Sequence, residues 1–298
     1  MPEPMTAMRK PAKPVAALRT QLRHGLAREI SRRGACSRSQ AEIAVREGRV
    51  YVEGRLVRDP QHACTAHTRI EMDAAPVRAV QRVYVALHKP RGILTTARDE
   101  RGRDSVYALL QGADLPWLAP LGRLDKASEG LLLMSNDSAW AAALIAPARR
   151  VPKTYRVQVR GVPDAAVLAA MRSGVTDRGE HLAVAAVTLL RSGGRTAWIE
   201  CVLEEGRNRH LRRLLAALGF EVLRLLRVAI GPLALGDLPR GAWRALSAAE
   251  VAALAAAAGL TASPDCAAPS PAAVRKSPAA AARATGPARA ARGSGAAC

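Results

Sequence analysis

The sequence predicts an α+β chain of two domains, and three observations lead to that reading. Its 298 residues are enough for two domains and a sizeable core. Its apolar residues follow two different periods. Residues 153–160 alternate strictly, with Tyr155, Val157 and Val159 on one face, whereas Leu211, Leu214, Leu215 and Leu218 form a helical stripe. Glycine and proline cut the chain into short elements in which helical and extended patterns are interleaved.

The charge points to the partner. Lys and Arg total 45 against 25 Asp and Glu, a formal net charge of +20. That imbalance predicts a polyanion, with nucleic acid ahead of an anionic membrane surface. No apolar run approaches the ~20 residues of a membrane span. Residues 1–19 are basic and lack the apolar stretch of a secretory signal. Cys36, Cys64, Cys201, Cys266 and Cys298 show no paired spacing, and Cys64 with His62 and His67 lacks a second ligand pair. Reduced thiols in a cytoplasm are therefore expected, with no metal site.

In chain order, residues 1–20 read as a mobile basic arm. Leu22, Leu26 and Ile30 suggest a first amphipathic helix closed by Gly34. Ser37 and Gln40 open a second helix, with Ile43, Ala44 and Val45 turned to a core. Residues 48–57 read as a hairpin turning at Glu53 and Gly54. Arg32, Arg33, Arg38, Arg46, Arg49 and Arg55 spread along this module, which makes it a candidate RNA binder. A strand is expected at 68–72 and another at 83–87, the latter ending in a loop at Lys89, Pro90, Arg91 and Gly92. Residues 98–103 read as a charged loop and 106–110 as a short helix or turn. Residues 163–174 read as a helix, and 188–202 as two strands around Gly193 and Gly194. Another strand is expected at 222–230, and Ser247 with Glu250 signals a capped helix to about residue 258. From 259 onward the chain is rich in Ala and Pro with scattered basic residues, a composition expected to be disordered.

Two stretches carry the chemistry. Asp125 sits in a polar, glycine-flanked loop that runs directly into the apolar block 130–134, read as a buried strand. The helix expected at 208–218, with Asn208 as N-cap and Gly219 just past its end, gathers Arg209, Arg212 and Arg213 on one side. Guanidinium groups and free backbone N–H groups at its start suit a phosphate, or a carboxylate that must stay ionised.

Gly122, Arg123, Leu124 and Asp125, followed by Ser128, Gly130, Leu131 and Leu132, resemble the catalytic motif of pseudouridine synthases. The run 89–92 (Lys-Pro-Arg-Gly), the run 153–155 (Lys-Thr-Tyr) and residues 206–213 resemble the branch that modifies ribosomal RNA (RsuA/RluB-type). Residues 22–76 resemble the α-L RNA-binding domain named after a small-subunit ribosomal protein. The resemblance covers roughly residues 22–258. It implies an α+β architecture in which a small helical and hairpin RNA-binding domain (21–78) precedes a two-part, mainly antiparallel-sheet catalytic domain (82–258).

It also implies isomerisation of a uridine in ribosomal RNA, with no metal or small-molecule cofactor, by a monomeric cytoplasmic enzyme. Asp125 takes the place of the family's essential aspartate, as nucleophile or as base at the sugar. Tyr155 takes the tyrosine position, with a face for stacking on uracil and a role at the C5 proton. Arg212 takes that of the aspartate's basic partner. Expected RNA contacts are Arg32, Arg33, Arg38, Arg49, Lys89, Arg91, Arg103, Arg123, Lys153, Arg207, Arg209 and Arg213. The sequence departs from the pattern at His210, where glutamine is usual, and at Ser128, where threonine is common. A non-catalytic RNA-binding assembly factor on the same scaffold is the competing reading. A metal-dependent hydrolase fits less well, because no second carboxylate or histidine cluster lies near Asp125 in sequence.

Overall fold

The computed structural model describes residues 23–78, 81–96, 104–260 and 275–276. The expected arm, Leu22, the loop 98–103 with Arg103 and nearly all of the tail lie outside the described residues. Among the described residues no helix is long and apolar enough to cross a membrane.

The first module is built on short, well-capped elements. Helix α1 (Leu26–Arg32) runs up to Gly34, whose φ of +80° turns the chain. Helix α2 (Arg38–Arg46) starts at Ser37, whose hydroxyl accepts from the Gln40 N–H while the Gln40 side chain accepts from the Ser37 N–H. This reciprocal cap satisfies two donors the helix leaves open. Ala41, Ala44 and Val45 face inward. Ile43 does not: it is 41% exposed, because two residues at ~100° each carry it to the far side of the helix from Ala41.

Strands β1 (Val50–Val52) and β2 (Arg55–Leu56) form the expected hairpin, with positive φ at Glu53 and Gly54. Strand β3 (Ile70–Met72) pairs antiparallel with β1. Leu26, Ile30, Val45, Val50 and Ile70 close the core. The carboxylate of Glu29 is buried beside that core and is held by Arg32 at 2.8 Å and Arg33 at 3.0 Å. Arg33 is itself buried and also donates to the carbonyls of Val77 and Thr68, tying the end of the module to its start. Its expected RNA contact is therefore corrected to a structural role.

The larger unit is organised on one mixed sheet. In chain order its main elements are β4 (Tyr84–Lys89), β5 (Glu129–Ser135), α3 (Ser138–Ile145), β6 (Lys153–Arg160), α4 (Ala165–Ser173), β7 (Ala186–Ser192), β8 (Thr196–Leu203), α5 (His210–Ala217), β9 (Val222–Ile230), β10 (Ala242–Ala245) and α6 (Ala248–Ala257). The main strands lie in the order β7, β8, β6, β9, β5, β4, β10. These neighbours are antiparallel except at the centre, where β9 and β5 run parallel with Leu226 opposite Glu129 and Arg227 opposite Gly130. Two antiparallel halves thus meet along one short seam.

The seam is tight. Gly130 has φ +112°, and a Cβ there would lie 2.2 Å from the carbonyl oxygen of Arg227. Only glycine allows that approach.

Packing follows the strand alternation. Val157 and Val159 on β6 meet Leu211, Leu214 and Leu215 on α5. On β5, Leu131 and Leu133 meet Trp140, Leu144 and Leu254, whereas Leu132 and Met134 meet Val106, Leu109 and Leu118. The run 130–134 is buried on both faces, which is why it reads as a continuous apolar block.

Three features differ from the sequence expectations. Strand β4 continues through His88 and Lys89, because both pair with β5. Asn208 is not the cap of α5. The cap is Arg209, in a left-handed turn (φ +49°), and it makes no side-chain capping bond. Strand β10 and the hairpin Val175–Asp177 with Glu180–Leu182 were not anticipated, being short and weakly patterned.

Gly130→Ala is expected to lower stability by about 3 kcal/mol or more, combining backbone strain with a main-chain clash. Urea denaturation monitored by circular dichroism checks this.

Candidate active site

The loop that carries Asp125 is held by its main chain. Leu121 N–H donates to Leu133 O at 2.8 Å, fixing the loop to β5. Thr95 Oγ1 donates to Leu124 O at 2.9 Å. Ser128 N–H closes a turn onto Asp125 O at 2.9 Å. Beneath the loop, Lys89 Nζ donates to Asp125 O at 3.2 Å, Ser128 O at 2.9 Å and Pro90 O at 3.1 Å. The Lys89 side chain is fully buried, and burial pulls its pKa down to about 8. Lys89 is therefore not the surface phosphate contact expected from its sequence position. It extends β4 and serves as an internal strut under the aspartate.

Arg212, on α5, closes the other side. Its Nη2 donates to Ala127 O at 3.2 Å and its Nη1 to Val222 O at 3.3 Å. Burial lowers its pKa, the Arg209 cation lowers it further, and the Asp125 charge opposes both. Arg212 thus feels the Asp125 carboxylate while its direct hydrogen bonds go to main-chain carbonyls. Tyr155 projects from β6, partly buried between the two core clusters on either side of the seam. Arg227 lies directly across the strands from it.

Asp125, Tyr155 and Arg212 line a single cleft of about 330 Å³, together with Lys153, Arg123, Arg207, Arg209, His210 and Arg227. Pockets of this scale take small ligands. Arg123 and Arg209 are exposed at its edge, and Arg207 is held by Glu205 at 3.0 Å. His210 is buried with Nδ1 3.8 Å from the Glu205 carboxylate. Burial keeps its pKa below the usual histidine value, so the ring is neutral at pH 7.

The other candidate residues lie elsewhere. Arg213 turns away and donates to the carboxylates of Asp177 and Glu180, pinning α5 to the 175–182 hairpin. Its expected RNA contact is corrected to that structural role. Arg32 is bound to Glu29, Arg38 to Glu42 and Arg49 to Asp73 and Glu47, all in the first module. Arg91 is exposed on the loop after β4.

Sequence reasoning passed over Arg227. It is 5% exposed, and its Nε donates to Leu131 O at 2.7 Å. The available signal is a charged residue two positions from Leu225, on the same face of a mainly apolar strand.

Taken together, a two-halved mixed sheet, a predominantly basic cleft around the Asp125 loop and a basic helix-hairpin module define an RNA-modifying enzyme. The chain matches the RNA pseudouridylate synthase family over residues 83–217 and the S4 domain over residues 11–70. An uncharacterised RNA pseudouridine synthase of Aquifex aeolicus is 36% identical over 78% of this chain and 93% of its own. The ribosomal large subunit pseudouridine synthase B of Bacillus subtilis is 35% identical over 76% of this chain and 93% of its own. A crystal structure of a pseudouridylate synthase aligns with a TM-score of 0.56 at 27% identity, covering 78% of this chain and 99% of that one. The chain belongs to the RNA pseudouridine synthase family, and is an isomerase with an RNA-binding S4 domain.

Lys89→Met leaves three carbonyls without their donor and is expected to cost about 2–3 kcal/mol of stability. The native lysine is less readily protonated in the fold (pKa about 8) than in the unfolded chain (about 10.4). The unfolded state therefore binds more protons in that window. The stability of the parent relative to Lys89→Met should rise between pH 8 and 10.4. Denaturation midpoints of the two proteins across that range check the sign.

Proposed function

We propose that this enzyme converts a uridine of ribosomal RNA to pseudouridine, with Asp125 opening the glycosidic bond of a nucleotide flipped into the cleft. One observation carries the reading. Asp125, Tyr155 and Arg212 come from a loop, a strand and a helix far apart in sequence, yet all line one cleft. The Bacillus subtilis relative is named for the large ribosomal subunit, which supports large-subunit RNA as the substrate class.

Residues 21–78 would dock the RNA and residues 82–258 would carry out the chemistry. A stacked uridine is unreachable, so it must leave the stack at a cost of a few kcal/mol. Arg91, Arg123, Arg207 and Arg209 supply cationic contacts around the cleft that help offset the cost. Asp125 then attacks the sugar or removes a proton from it, and the C1′–N1 bond breaks. The uracil turns, C5 bonds to C1′ and the C5 proton is lost. Tyr155 offers its ring for stacking and its hydroxyl near C5. Arg212 holds the Asp125 loop in place and sets a positive charge near its carboxylate. The reaction is an isomerisation and needs no external electron or group donor, so no organic cofactor is called for.

Incubation with ribosomal RNA tritiated at uridine C5 tests the proposal. The parent chain should release label, and Asp125→Asn should release none while still binding RNA. Binding without release by the parent chain would instead favour the non-catalytic assembly factor. Arg209→Ala should weaken RNA binding across sequences and reduce the slope of log affinity against log salt by about 1, measured by filter binding at several salt concentrations.

A further inference from the structure

The buried polar atoms of this protein that lack a hydrogen-bond partner are concentrated in one place. Among the described residues, Ser128 Oγ, Arg212 Nε and Arg227 Nη2 are such atoms and all three residues line the cleft, beside the His210 ring, whose contacts to Glu205 and the Ala183 main chain are weak. Unpaired buried polar groups are costly, so such a concentration marks a site shaped for a polar ligand.

Arg227 is the most informative of them. Its backbone is clamped against Gly130 across the parallel seam, and its Nε is fixed to Leu131 O at 2.7 Å. Its Nη2 is buried and unpaired. Lys153 lies on the same cleft, half-buried. Burial first, and the Arg227 charge second, depress the Lys153 pKa. Among the described residues no carboxylate forms an ion pair with either cation. Two like charges thus share the lining of the cleft with Tyr155 and with the catalytic candidate Asp125, and neither is ion-paired.

We propose that Arg227, assisted by Lys153, is the catalytic group that stabilises the negative charge developing on the uracil as it leaves the sugar. The assignment rests on the uridine-isomerising function proposed for the cleft. Whether Asp125 bonds to C1′ or removes a sugar proton, the C1′–N1 bond breaks with its electron pair going to the base. That pair spreads from N1 onto the carbonyl oxygens O2 and O4. It is then returned through C5, which bonds to C1′ and displaces Asp125 or adds to the sugar alkene. In the alkene route Asp125 returns the removed proton to the sugar as C5 adds to C1′; in both routes the C5 proton leaves last and N1 takes one up, so atoms and electrons balance without a co-reactant. A buried guanidinium fixed at Nε, with an unpaired Nη2 in the wall of the cleft, is suited to an oxyanion, since it needs little reorganisation as charge appears. A phosphate in the RNA chain is the other source of such an oxyanion. The 5% exposure of Arg227 places it deep in the cleft, where the base rather than the backbone would sit.

The test uses Arg227→Gln and Lys153→Gln in the full chain, with RNA carrying uridine or 5-fluorouridine at the target. Fluorine withdraws electrons and makes the uracil a better leaving group. Cleavage and rearrangement of the fluorinated base are followed by chromatography of the digested RNA. Arg227→Gln is expected to lower kcat on uridine by about 100-fold, with RNA affinity unchanged and a smaller loss on 5-fluorouridine. Lys153→Gln, which leaves the Leu131 contact intact, should show the same pattern more weakly and covers the case in which Arg227→Gln does not fold. Equal losses on both bases would overturn the proposal, as would lost RNA affinity with kcat retained, the signature of a phosphate contact. A fully active Arg227→Gln chain would overturn it while leaving the function itself standing. An inert parent chain would overturn both.

Discussion

The close approach of Gly130 to the backbone of Arg227 is the constraint on which the rest of the catalytic domain depends. It joins two antiparallel half-sheets by a parallel seam, with Leu226 opposite Glu129 and Arg227 opposite Gly130. The Asp125 loop enters β5 just before the seam, and Tyr155 faces Arg227 across the neighbouring strand pair. The seam therefore brings a loop from one half and a tyrosine from the other to the same cleft. A side chain on residue 130 would push the halves apart where the chemistry is assembled.

Around that seam the cations divide into two populations with different tasks. Lys89, Arg33 and Arg213 are turned inward: Lys89 serves carbonyls under the Asp125 loop, Arg33 locks the first module, and Arg213 anchors α5 to a hairpin. Arg91, Arg123 and Arg209 are exposed and free to meet phosphate. The 45 Lys and Arg residues therefore overstate the cations offered to RNA, because several are committed to holding the fold. The committed cations matter for function all the same. By fixing the main chain of the Asp125 loop from below and from the side, Lys89 and Arg212 remove motion that would otherwise misplace the carboxylate.

The His210 ring illustrates how burial tunes the same cleft. It is nearly inaccessible and neutral at pH 7, so it offers one donor and one acceptor without adding charge. It sits one residue past the left-handed Arg209 that opens α5, which places a neutral ring between the guanidinium groups of Arg209 and Arg212 in the chain.

The sequence by itself determined what depends on neighbours along the chain. The Ser37–Gln40 and Ser247–Glu250 caps, the Glu53–Gly54 turn, the alternation of β6 and the leucine stripe of α5 are local patterns, and each forms as its pattern implies. The motif around Asp125 and the family it belongs to were legible for the same reason, since a motif is a short-range arrangement. The tertiary structure alone decided the pairings made at long range. It placed Lys89 under the aspartate rather than on the surface, gave Arg213 to Asp177 and Glu180, and drew Arg227 into the cleft from a strand that reads as core. A charged side chain carries no mark in sequence of whether its partner will be water, RNA or a carbonyl dozens of residues away. That choice is made only when the elements that carry the two partners pack together.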